Sequence, residues 1–154
     1  MKPAVLPAIL LLGLPAAAPL PGRCASAPAP DAPATDAETA AHAAVLDLAG
    51  AFTNDGFKLR DGDYAGTVRP GQAELIEVNL YAGNEYWFSV ATADPKTPVT
   101  VAVYDETGKL LKTNPYKDAS RAAAGFSPDI SGPYYLRVAS PGATSTYCLI
   151  YSYK

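Results

Sequence analysis

Phe126-Ser-Pro-Asp-Ile-Ser-Gly-Pro-Tyr-Tyr-Leu-Arg-Val138 decides how the rest of the chain is read. Ser131-Gly132-Pro133 is turn chemistry, because glycine reaches backbone angles closed to other residues and proline fixes φ. Beyond the turn, Tyr134, Leu136 and Val138 alternate with Tyr135 and Arg137, the period-two pattern of a strand with one buried face. The same alternation recurs in both directions along the chain. Ile76, Val78 and Leu80 oppose Glu77 and Asn79; Tyr86, Phe88 and Val90 oppose Trp87 and Ser89; Val99, Val101 and Val103 extend the inward set. Strands are expected at about Tyr64–Val68, Glu74–Tyr81, Glu85–Ala91, Val99–Tyr104, Leu110–Thr113, Ala122–Phe126, Tyr134–Ala139 and Thr146–Tyr153. Turn residues separate them, among them Pro70-Gly71, Ala82-Gly83-Asn84, Asp105 to Gly108, Asn114-Pro115 and Pro141-Gly142. Short strands at this spacing predict an all-β antiparallel β-sandwich of about eight strands over residues 57–154.

A helix precedes the strands. Thr35-Asp-Ala-Glu38 has the form of a capping box, in which hydroxyl and carboxylate each satisfy a free amide of the first turn. The helix is expected over residues 35–53, with Val45, Leu48, Ala49 and Phe52 on one face. Gly50 weakens its last turn and Asn54-Asp55-Gly56 ends it. Residues 28–34 form a Pro/Ala linker that stays extended and buries nothing. Residues 1–27 read as an export leader: Lys2, an apolar run from Ala4 to Leu14, then small residues. Its two A-x-A sites, Ala16-Ala17-Ala18 and Ala25-Ser26-Ala27, are each followed by proline, which leaves the cleavage point open. The apolar run falls well short of the roughly 20 residues a membrane span needs. A periplasmic or extracellular protein without a transmembrane segment is expected. Cys24 follows Arg23, where a lipidation signal wants a small residue, and Cys148 is left without a partner in the processed chain.

Charge and residue inventory exclude several functions. Without Lys2 and Arg23 the 12 basic residues fall to 10, against 15 acidic ones, a net of −5. Nucleic-acid binders carry a positive footprint instead, so no such partner is expected. The single histidine, His42, lies in the alanine-rich helix, and no G-x-S-x-G or H-E-x-x-H motif supplies a nucleophile or a metal-activated water. One histidine and one remaining cysteine cannot build a zinc tetrahedron. The carboxylate pairs Asp61/Asp63 and Asp105/Glu106 sit in turns, where Asp and Gly are at home without any catalytic role. No enzyme and no obligatory cofactor are expected.

Several stretches together resemble a known family. They are Val78-Asn-Leu80, Ala82-Gly83, Tyr86-Trp-Phe88, Val103-Tyr-Asp-Glu-Thr-Gly108, Phe126-Ser-Pro128 and Ser131 to Val138. Over roughly Tyr64 to Tyr151 the chain resembles the bacterial pre-peptidase C-terminal domain, a jelly-roll-like sandwich appended to secreted proteases and other exported proteins. Leu46 to Phe52 followed by Gly56 to Leu59 is also similar to exported bacterial proteins of helix-then-sandwich layout with no established activity. Some of those carry extra cysteine pairs, which cannot be transferred here because Cys148 is alone. The resemblance implies that calcium is possible at the segment leading into the sandwich, where Asp55, Asp61 and Asp63 cluster in sequence. A regular EF-hand does not fit: with Gly56 at its glycine position, Ala51 and Gly62 fall where the end carboxylates belong.

Aromatics are the remaining candidates. The chain has ten tyrosines and one tryptophan. By alternation Trp87, Tyr104 and Tyr135 point away from the inward rows, with Arg137 beside Tyr135 and with Tyr81 if its strand runs without a bulge. Such rings stack on sugars or extended peptides because they offer rigid apolar area at little entropy cost. The plainer alternative is that Trp87 and its neighbours lie under the helix. The expected function is a non-catalytic exported accessory module that recognises a polysaccharide or an exported protein through a sheet face. A purely structural or assembly module of a cell-envelope complex, or a calcium-stabilised domain, stays open beside it.

Overall fold

The computed structural model describes residues 35–154; the expected leader and linker lie outside the described residues. Helix α1 spans Asp36–Thr53. Both halves of its capping box form: the Glu38 amide donates to Thr35 Oγ1 at 3.2 Å, and the Thr35 amide donates to Glu38 Oε2 at 2.7 Å. Ala41, Val45, Leu48 and Ala49 form its buried face. Past the C-cap Asn54, Gly56 takes φ 87°, a left-handed angle that glycine adopts without steric cost. That turn delivers Phe57 into a buried position, where the Lys154 ammonium lies 4.5 Å from its ring centroid.

The strands are β1 (Lys58–Leu59), β2 (Tyr64–Val68), β3 (Ala73–Leu80), β4 (Tyr86–Thr92), β5 (Thr100–Tyr104), β6 (Asn114–Asp118), β7 (Arg121–Phe126), β8 (Gly132–Ala139) and β9 (Ser145–Tyr153). Every pairing is antiparallel. The strands make two sheets: six strands in the order β1-β9-β4-β7-β6, with β2 also on β9, and three in the order β3-β8-β5. Both β1 and β2 lie along β9. One pairs with Ser152 and Tyr153, the other with Ser145 to Leu149, and Arg60 to Asp63 bulge out between them.

The sheets close face to face over Leu80, Phe88, Val90, Val103, Leu136 and Leu149, all fully buried. A second core lies behind the larger sheet, where Ala41, Val45 and Ala49 of α1 pack on Ala91, Cys148 and Ile150. The helix is thus a third layer. Because α1 covers one face of β9 and the small sheet covers the other, Tyr147 to Tyr151 is continuously buried. A strand enclosed on both sides has no polar face to display. Among the described residues no helix is long and apolar enough to cross a membrane.

One segment departs from expectation. Leu110–Thr113 forms no strand, only a single bridge from Leu110 to Tyr104. The ladder strand is β6, which begins at the Asn114-Pro115 pair expected to be a turn. Since β6 is the outer strand of its sheet, Pro115 forfeits no ladder hydrogen bond that a neighbour needs. All five of its residues are exposed, so no hydrophobic alternation marks it.

Candidate functional site

A sandwich with a helix on one side has two outer faces of unlike fate, and the candidate aromatics divide between them. Trp87 stands on the outer face of the six-stranded sheet and stacks on Phe52 of α1, with ring centroids 4.3 Å apart and planes at 11°. Its indole also lies across Gly125, its cross-strand partner on β7. A Cβ added at Gly125 would meet the indole at 2.9 Å. Trp87 is therefore held between helix and strand.

Tyr104 and Tyr135 are direct cross-strand partners on β5 and β8, on the outer face of the three-stranded sheet. Nothing among the described residues covers that face. Glu77 of β3 pairs with Tyr135, and Leu110 bridges Tyr104 on the opposite flank. Glu77, Tyr135, Tyr104 and Leu110 form a row ~14 Å across at the usual strand spacing. Leu75, Arg137 and Ala102 make the adjacent row. Leu75 is 66% and Leu110 59% exposed, while both tyrosines are half-buried. Leu75, Tyr104, Tyr135 and Arg137 line a shallow depression of about 490 Å³, rimmed by Asp105 and Glu106. The structure brings Tyr104, Tyr135 and Arg137 together and leaves Trp87 in another layer.

The rim is stiffened by its own turn. The Asp105 carboxylate accepts from the Thr107 hydroxyl at 2.6 Å, the Thr107 amide at 2.9 Å and the Lys109 amide at 3.0 Å. The Thr107 hydroxyl first, then the backbone amides, hold the Asp105 carboxyl below its ordinary range. A carboxylate engaged this way organises a loop and stays ionised. The platform itself carries no histidine or cysteine: His42 is exposed on α1, and Cys148 is buried beneath that helix.

Asp55, Asp61 and Asp63 are all exposed. Among the described residues no three or more His, Cys, Asp or Glu side chains converge as a metal site would require. Asp63 is engaged elsewhere, with its Oδ2 accepting the Cys148 thiol at 3.3 Å. Burial, and secondarily this carboxylate, push the Cys148 thiol up to about 12. Leu75 and Leu110 belong to the platform although no chemistry marks them in sequence. For Leu75 the alternation with Ile76 was signal enough; for Leu110 only the bridge to Tyr104 reveals it. In comparison with known proteins, no family model matches the chain and no curated protein matches it.

Proposed function

We propose that the protein is a non-catalytic binding module that holds a polysaccharide chain on the outer face of its three-stranded sheet. The observation carrying this reading is the adjacent Tyr104–Tyr135 pair on the uncovered face, flanked by Leu75 and Arg137. Flat rings side by side offer stacking surfaces to successive sugar units, and a guanidinium and carboxylates at the rim offer hydrogen bonds to their hydroxyls. The leader-like sequence over 1–27 and the resemblance to pre-peptidase C-terminal domains support an exported, accessory role. The structural alternative draws on Trp87, an aromatic that α1 uses for docking.

The test is retention on insoluble cellulose, chitin and purified peptidoglycan. The intact protein is expected to be retarded on at least one, and the Tyr104→Ala/Tyr135→Ala double variant to lose about fivefold or more in affinity while its circular dichroism is unchanged. Each lost stacking contact accounts for about 0.5–1.5 kcal/mol. Passage of the intact protein through all three matrices, or equal retention of the double variant, overturns the reading in favour of the structural one.

A further inference from the structure

A second cleft, of about 390 Å³, opens at the other end of β3 and is lined by Arg60, Tyr81, Asn84, Tyr86, Tyr151 and Tyr153. Small-molecule sites have volumes of roughly 300–1,000 Å³. The bulge between β1 and β2 builds one wall: the Arg60 amide donates to the Tyr151 carbonyl at 3.0 Å, and the Arg60 guanidinium lies 5.2 Å from the Tyr151 ring centroid. None of the ion pairs among the described residues includes Arg60.

The hydroxyls of the cleft are unevenly used. Tyr86 Oη accepts from the Tyr81 amide at 2.9 Å and from Asn84 Nδ2 at 3.1 Å. A phenol has one proton to give and two lone pairs to receive, so the Tyr86 proton is left seeking an acceptor. Tyr151 is only 4% exposed, and its hydroxyl has no hydrogen-bond partner. The Arg60 guanidinium and the Tyr86 hydroxyl thus line a cleft to which no carboxylate contributes. Donors without acceptors call for a ligand rich in oxygen and negatively charged. Tyr81, 64% exposed, adds an open ring at the mouth. A bare inorganic anion would leave that ring unused, and a neutral sugar would leave Arg60 unanswered.

We propose that this cleft binds a single acidic sugar residue, a hexuronate, with its carboxylate on Arg60, its ring against Tyr81 and a hydroxyl toward Tyr86. Asn79, which also lines the cleft, lies four residues beyond Leu75 on β3, or ~13 Å along an extended strand. The site is therefore separate from the sheet-face platform. Titration of the intact chain with D-galacturonate and D-glucuronate, followed by amide chemical shifts, is expected to perturb Arg60, Tyr81 and Tyr151 in a saturable way. D-galactose and inorganic sulfate are expected to bind at least tenfold more weakly. Arg60→Gln should weaken uronate binding at least tenfold, and Tyr81→Ala at least threefold. No saturable shift with either uronate, equal affinity for galactose or sulfate, or an Arg60→Gln variant that binds as the intact chain does, overturns the proposal. The Tyr104→Ala/Tyr135→Ala variant should keep full uronate affinity, so failure on the sheet face and failure in the cleft are read separately.

Discussion

Trp87→Ala is expected to lower the unfolding free energy by about 3 kcal/mol, the lower end of the range for truncating a large aromatic side chain. The indole is partly exposed, which keeps the loss from the upper end, but three contacts disappear together. Phe52 loses the ring it stacks on, α1 loses the anchor of its last turn, and the backbone of Gly125 is uncovered. The stack can be tested as a unit. Gly125→Ala places a Cβ 2.9 Å from the indole, and forcing extra volume into a packed site costs about 1–3 kcal/mol. Once Trp87 is alanine the obstruction is gone, and alanine is the better strand residue because it has less backbone freedom to lose than glycine. The second substitution should then be neutral or stabilising, giving a coupling of about 1–3 kcal/mol between the sites. Urea unfolding followed by far-ultraviolet circular dichroism measures all four corners of the cycle; Trp87 is the sole tryptophan, so its fluorescence cannot serve throughout. Strictly additive costs would show that the indole does not rest on Gly125. The same variants bear on function, since a residue that docks the helix should affect stability and leave polysaccharide retention alone.

Alternation made the inward rows legible. Val78 and Leu80, then Tyr86, Phe88 and Val90, then Val103, then Tyr134, Leu136 and Val138 are buried between the sheets as their spacing requires. The capping box also stood in plain sequence, because it is a local device whose partners are three residues apart. What alternation cannot say is which of two sheets a strand joins. Trp87 and Tyr135 both read as pointing away from the core, yet strand order puts one under α1 and leaves the other open. β6 is illegible for the opposite reason: an exposed edge strand has no buried face to write into its residues, and its proline mimics a turn. The tyrosine cleft was the least legible feature. Arg60, Tyr81, Tyr86 and Tyr151 are far apart in sequence and meet only because β9 runs between β4 and the β1–β2 bulge.

Raising the pH above 9 is expected to unfold the protein through two neighbouring side chains on β9. Cys148 ordinarily titrates near 9.0 and Tyr147 near 10.0, and the fold lifts each to about 12. Burial is the leading cause for both. For Cys148 the hydrogen bond to Asp63 and its charge add to the shift; for Tyr147 the charges of Glu74 and Cys148 do. The sign follows from proton counting. Below pH 9 both states hold both protons, and the contribution to stability is fully present. Between 9 and 12 the unfolded chain gives up protons that the folded chain retains, so stability falls as the pH rises. Ionising the folded state offers no relief, because a thiolate would then face a carboxylate at 3.3 Å. The melting temperature should be level up to pH 9 and decline steadily beyond it. Cys148→Ser keeps a donor for Asp63 while removing a group that ionises in this range, so its decline should begin nearer pH 10, where Tyr147 takes over. Tyr147→Phe should flatten the upper part of the same curve. A melting temperature unchanged between pH 9 and 11, or a Cys148→Ser profile identical to that of the intact chain, would mean that Cys148 does not titrate from inside the packed layer beneath α1.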